Sequence, residues 1–193
     1  MAGLFESAGG GGAVLALDEL EASILRSLEV QMLELIGPGP GDGEGSGDPL
    51  AALFAEGPSK APDDPALARL FPDAYGDPDG PGDAESREAA GEFRRYTELD
   101  LRARKREDAL HVVRALDGLG GEGGQVDLDA AACLRWLGAL NDLRLTLGVR
   151  LEVTEDDEQG LYGLPDADDR KPLVMAYLWL GALQESLLEA IAD

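Results

Sequence analysis

Four stretches of this chain repeat apolar residues at helical spacing, and that periodicity limits the fold more than any other feature of the sequence. Leu17, Leu20, Ile24, Leu28, Gln31 and Leu35 recur every three or four residues, with Leu25 and Met32 widening the stripe. Asp18 is a good N-cap for this helix, Glu21 completes a capping box, and Gly37-Pro38 ends it. The same reading predicts a long helix from Asp83 to Leu116 and another over Asp127–Leu147, capped by Asp127 or Asp129 and stopped by Gly148. A last helix is predicted over Pro172–Ala192. Its apolar face is Leu173, Tyr177, Leu180, Leu183, Leu187, Leu188 and Ile191, with Gln184 at the centre of that face and Trp179 off it. Buried there, Gln184 needs an internal hydrogen-bond partner. Trp179 is either a second buried contact or a partner-binding spot.

Two segments read differently. Gly9–Gly12 separates Gly3–Ser7 from Ala13–Leu17, a hairpin pattern because a glycine run permits the positive φ angles of a tight reversal. Val149–Thr154 alternates apolar and polar residues at strand period, so residues 1–17 and 149–154 can join as a small antiparallel sheet. Residues 37–82 hold ten Gly and nine Pro in 46 positions. Within this stretch two short helices are expected, Pro49–Ala55 capped by Asp48 and Pro65–Phe71 capped by Asp64, each with proline at its first position. The expected architecture is mainly α: a helical bundle of about four longer helices plus short ones in one domain over residues 1–193. Residues 37–64 form a Gly/Pro-rich flexible insertion or linker.

Charge narrows the function. The 193 residues carry 39 Asp and Glu against 16 Lys and Arg, a formal net charge of −23. Such a body repels nucleic-acid phosphates and anionic membranes unless a local basic face overrides the field. Cys133 is the one cysteine, so no intrachain disulfide can form within these residues, and His111 is the one histidine. No apolar run approaches the roughly 18 residues of a membrane span, and the N-terminus lacks the basic region of a secretion signal. A cytoplasmic protein without a cofactor is expected. There is no phosphate-binding loop, nucleophile elbow or zinc spacing, and no enzyme is predicted.

The candidate sites are few. Arg94, Arg95, Arg102, Arg104, Lys105 and Arg106 are six cations within thirteen residues. On a helix, Arg94, Arg95, Arg102, Lys105 and Arg106 share a sector of about 120°. That sector is either a phosphate-facing stripe that meets DNA through its backbone, or a solvated face laced with pairs such as Glu98–Arg102 and Asp100–Arg104. The global charge favours the second. Arg144 projects onto the edge of an apolar face and needs a partner, for which Glu98, Asp100 or Glu185 are candidates. With Asn141, Asp142 and Gln184 these residues make a candidate structural network. Cys133, on the same apolar face, is a redox candidate set against inert packing. Asp77–Glu88 partly resembles a calcium loop, but proline at its fifth position removes a ligand. A capped helix start explains the same residues, and no metal is predicted. The acidic residues 155–158 and 166–169 read as solvated surface, or as a face for a basic partner.

Three segments, Glu92–Glu98, Leu140–Gly148 and Tyr177–Leu187, resemble in this order an actinobacterial family long catalogued as a domain of unknown function, now called AosR, for actinomycete oxidative-stress-responsive regulator. The likeness covers most of the chain. It implies a cytoplasmic, non-enzymatic transcriptional regulator of redox and cysteine metabolism that acts on DNA with a sigma factor. The alternative is a protein-interaction module or adaptor with no direct DNA contact. The family's proposed mechanism, an intramolecular disulfide switch, cannot form here with Cys133 alone.

Overall fold

The computed structural model of the chain describes residues 3–38, 57–75, 83–154 and 163–192. Its first turn is made by glycine. Gly9, Gly10 and Gly11 adopt φ of 79°, 63° and 77°, left-handed angles that glycine takes without a steric penalty. The chain therefore reverses between β1 (Phe5–Gly9) and β2 (Gly12–Leu17), which pair antiparallel with Phe5 opposite Leu15. A third strand, β3 (Gly124–Leu128), lies antiparallel on the other side of β2, with Leu15 opposite Val126 and Ala13 opposite Leu128. The alternation of a strand turns Ala13, Leu15, Leu17, Val126 and Leu128 inward, and all are buried.

The third strand is not the one predicted. Val149 and Arg150 are the last residues of a helix, α4 (Ala130–Arg150), which runs through Gly148, and Leu151–Thr154 follow its end. The Leu151 N–H donates to the Leu147 carbonyl at 2.9 Å, and the Val153 N–H returns to the Gly148 carbonyl at 2.9 Å. Leu151 folds back into the core, so the period of two reflects a helix terminus and not a strand. An interior glycine costs a helix only about 1 kcal/mol, which tertiary packing overrides. The real strand, Gln125-Val126-Asp127-Leu128, alternates equally well but is short and follows a glycine-rich loop. Asp129, not Asp127, caps α4, accepting the Ala132 N–H at 2.7 Å.

The other helices are α1 (Glu19–Ile36), α2 (Pro65–Leu70), α3 (Ala84–Asp117) and α5 (Lys171–Ala192). The predicted capping box of α1 is present: Asp18 Oδ1 accepts the Glu21 N–H at 2.8 Å and Glu21 Oε2 accepts the Asp18 N–H at 3.0 Å. Asp64 caps α2 through the Ala66 and Leu67 N–H groups, with Pro65 in the first turn. The expected helix Pro49–Ala55 lies outside the described residues. So do most of the 37–64 insertion, part of Asp77–Glu88, and Glu155–Glu158.

The sheet packs onto α4 and α5. The Phe5 ring meets Trp136 edge-on at 5.8 Å, and the Phe5 N–H donates to Ser186 Oγ at 3.1 Å. Around them Leu25, Leu140, Leu180, Leu183 and Leu187 are fully buried. The fold is mainly α, with a small three-stranded antiparallel sheet. In α1 the buried face differs from the expected stripe. Ala22, Leu25, Glu29, Met32 and Ile36 turn inward, whereas Leu20 is 67% and Ile24 38% exposed. The helix is rotated by about one residue, and a carboxyl group stands where the pattern placed Leu28.

Candidate functional site

Three of the α3 cations, Arg94, Arg102 and Arg106, close the ends of other helices. Any α-helix leaves its last carbonyls without intrahelical donors, and α1 has no basic residue in its final turn. Two arginines of α3 supply what is missing. Arg102 Nη1 donates to the Ile36 carbonyl at 2.8 Å, and Arg106 Nη1 donates to the Gly37 carbonyl at 3.1 Å. Positive charge at a helix C-terminus also meets the negative end of its dipole. Arg94 does the same for α2, with Nη2 donating to the Phe71 carbonyl at 2.9 Å and to Asp73 Oδ1 at 2.8 Å.

Glu98 joins two of these cations. It is buried and accepts from Arg94 on one oxygen and from Arg102 Nε at 2.8 Å on the other. The Arg102 guanidinium also lies 4.3 Å from the centre of the Phe71 ring. Burial works against the charge on Arg94, but its bonds to Asp73 and Glu98 outweigh this and hold its pKa above the ordinary value. Lys105 reaches across to α4 and pairs with buried Asp142 at 2.6 Å. Arg95 bonds Tyr96 Oη at 2.8 Å and pairs with Glu92 at 3.6 Å. Of the two pairs expected on this face, Glu98–Arg102 forms. Asp100 and Arg104 are both exposed, and the pair between them is not formed among the described residues.

The second network lies between α4 and α5. Arg144 Nη1 donates to Gln184 Oε1 at 2.5 Å, and the guanidinium lies 5.3 Å from the Tyr177 ring centre. Gln184 Nε2 in turn faces Asn141 Oδ1 at 3.4 Å. Arg144 thus takes an amide and an aromatic face in place of the expected Glu98, Asp100 or Glu185. Glu185 is exposed and takes no part. Gly181 lies beside the guanidinium, where a Cβ would make an ordinary van der Waals contact 3.5 Å from Arg144 Nε. Trp179 is half-buried against the core, and its indole N–H has no partner among the described residues. Cys133 is fully buried, with Sγ 4.0 Å from the Leu128 carbonyl, and burial pushes its thiol pKa up. That is the reverse of the exposed, low-pKa environment that makes a thiol reactive.

One titratable residue escaped the sequence reading. Glu29 is fully buried, and neither carboxyl oxygen has a hydrogen-bond partner among the described residues. Desolvation, then the negative fields of Asp142 and Asp108, push its pKa up to about 8. Burial likewise raises Asp142, against the opposing pull of Lys105, and raises Asp108 against Arg135. The available signal was that Glu29 follows Leu25 by four residues and precedes Met32 by three, but the neighbouring Leu28 stripe was the more apolar choice. The described residues hold no group of three or more ligand side chains arranged for a metal ion, and no described helix is long and apolar enough to cross a membrane.

Residues 1–191 match a protein family described as "Domain of unknown function (DUF2017)". The chain belongs to this family. A relative of this DUF2017 chain in Mycobacterium tuberculosis (strain ATCC 25618 / H37Rv), named "Oxidative stress regulator AosR", is 32% identical over 177 residues, covering 87% of this chain and 77% of its own length. The Mycobacterium bovis protein of that name matches to the same extent. An AosR relative from Mycobacterium leprae is 34% identical over 142 residues, or 70% of this chain and 62% of its own length. No solved structure matches. In the DUF2017 fold the three segments that carried the resemblance supply the two networks: Arg94 and Glu98 from the first, Asp142 and Arg144 from the second, Tyr177 and Gln184 from the third.

Proposed function

We propose that this chain is a non-enzymatic regulatory protein that works by contact with another protein, in the oxidative-stress role that its AosR relatives are named for. One observation carries the choice of protein over DNA. The α3 cations Arg94, Arg102, Lys105 and Arg106 bind Glu98, Asp142 and helix-end carbonyls of the chain itself. Phosphate binding needs cations that exchange solution counterions for nucleic-acid phosphates, and these are committed elsewhere. What remains is a surface dominated by the −23 net charge, which favours a basic protein segment over a nucleic acid. A sigma factor or another protein of the transcription apparatus is the partner class that the family resemblance suggests.

The test uses the full chain with a labelled promoter fragment and, separately, with RNA polymerase holoenzyme. At low salt, about 50 mM, where phosphate contacts are strongest, no DNA retention is expected. Co-elution with the holoenzyme or its isolated sigma factor is expected. Retention of DNA that falls steeply with added salt would return promoter contact to first place.

A further inference from the structure

Most of the last helix is apolar on every side. Pro172–Gln184 is thirteen residues without a charge, and a helix of that kind is normally enclosed all round. In this fold α5 packs against α4, β1 and β2, which cover one side of it. On the other side Met175 is 54% exposed, Ala182 is exposed, and Leu178 is half-buried without joining the core cluster. These three stand in one line with Lys171, Glu185 and Glu189. Steps along the line are four, three, four, three and four residues, the 3.5-residue repeat of a helix–helix seam. The six positions share an arc of about 80° and a length of about 27 Å.

The order of residues along this seam selects its occupant. It begins basic, at Lys171, and ends acidic, at Glu185 and Glu189. Between them a large residue, Leu178, is followed one turn later by a small one, Ala182. Turned end for end, the pattern is complementary to itself. We propose that two copies of this chain associate through α5, antiparallel, about a two-fold axis between Leu178 and Ala182. Each Leu178 then lies on Ala182 of the other copy. In the same register each Lys171 meets Glu189 of the other copy, with Glu185 one turn away. A parallel pair would set Glu185 and Glu189 against their own images. Lys171 donates to the Leu164 carbonyl at 2.5 Å and pairs at 3.3 Å with Asp166, whose side chain is fully exposed. An ammonium has three donors, and an exposed pair such as Lys171–Asp166 contributes little, so it yields readily to a carboxylate in the interface. The interface is isologous and closed, and it leaves the acidic remainder of both surfaces facing outward. It does not depend on which protein the chain contacts in its regulatory role.

The test is sedimentation equilibrium of the full chain at about 0.15 M salt, where repulsion between two acidic bodies is screened beyond about 8 Å. A single helix pair is a small interface, so a monomer–dimer equilibrium in the micromolar range is expected. Lys171→Glu alone, and Glu185→Lys with Glu189→Lys, should each weaken the dimer by about tenfold or more, because each sets like charges face to face. An equimolar mixture of the two variants should restore the dimer, which the antiparallel register alone accounts for. Ala182→Arg, at an exposed position, puts a long side chain where Leu178 of the other copy lies and should also give monomer. Circular dichroism checks that each variant keeps its helices. Monomer at every concentration up to about 1 mM overturns the proposal. So does a dimer that Ala182→Arg and the charge variants leave intact, or a mixture of the charge variants that stays monomeric.

Discussion

Glu29 is the residue whose chemistry departs furthest from its sequence neighbours. An ionised carboxylate without a partner cannot be held in an apolar core, so the group stays protonated and its pKa rises to about 8. Because the folded value lies above the unfolded one, near 4.5, the stabilising effect is complete below the unfolded pKa. It is lost as pH rises through the window up to about 8. Glu29→Gln, which is neutral at all pH, should match the parent near pH 5 and exceed it in stability at pH 9. The gap should widen by about 1 kcal/mol per pH unit within the window, as read by urea unfolding. Arg94 is the contrasting case, a buried charge whose two terminal nitrogens bind Glu98, Asp73 and the Phe71 carbonyl. Arg94→Ala leaves Glu98 buried with one fewer counter-charge and uncovers the Phe71 carbonyl, so a loss of about 3 kcal/mol is expected in the same assay.

Helix starts were the most legible elements. Asp18 and Glu21 announce the start of α1 because a capping box needs only local residues, and Asp18→Ala should cost about 1 kcal/mol and lower the melting temperature by a few degrees. Helix rotation was less legible: which face of α1 turns inward depends on what α3 and α4 present to it. The swap between Val149–Thr154 and Gly124–Leu128 has a related cause. Both segments alternate apolar and polar residues, and only the position of β2 decides which one pairs. The basic cluster of α3 was visible as charge, but its role was not. The acceptors of Arg102 and Arg106 are backbone carbonyls at Ile36 and Gly37, which carry no signature in side-chain sequence. Arg102→Ala is accordingly a poor probe of DNA contact, since it uncaps α1.

Across the whole molecule, an excess of negative charge is left on the outside, and its self-repulsion opposes the compact state. Raising ionic strength from about 0.01 M to 0.15 M should therefore increase the melting temperature, because screening of this repulsion exceeds the weakening of exposed pairs such as Arg26–Asp117. The mainly helical class could be read from periodicity, and family membership from three ordered segments, but neither reveals how charge is partitioned between interior and surface. One consequence of that partition concerns heat. Near neutral pH the native chain holds a hydrogen ion on Glu29 that the denatured chain gives up to the medium. Thermal transitions recorded by calorimetry in phosphate and in Tris should then differ in enthalpy by the ionisation heats of the two buffers, and the difference should vanish when position 29 carries an amide.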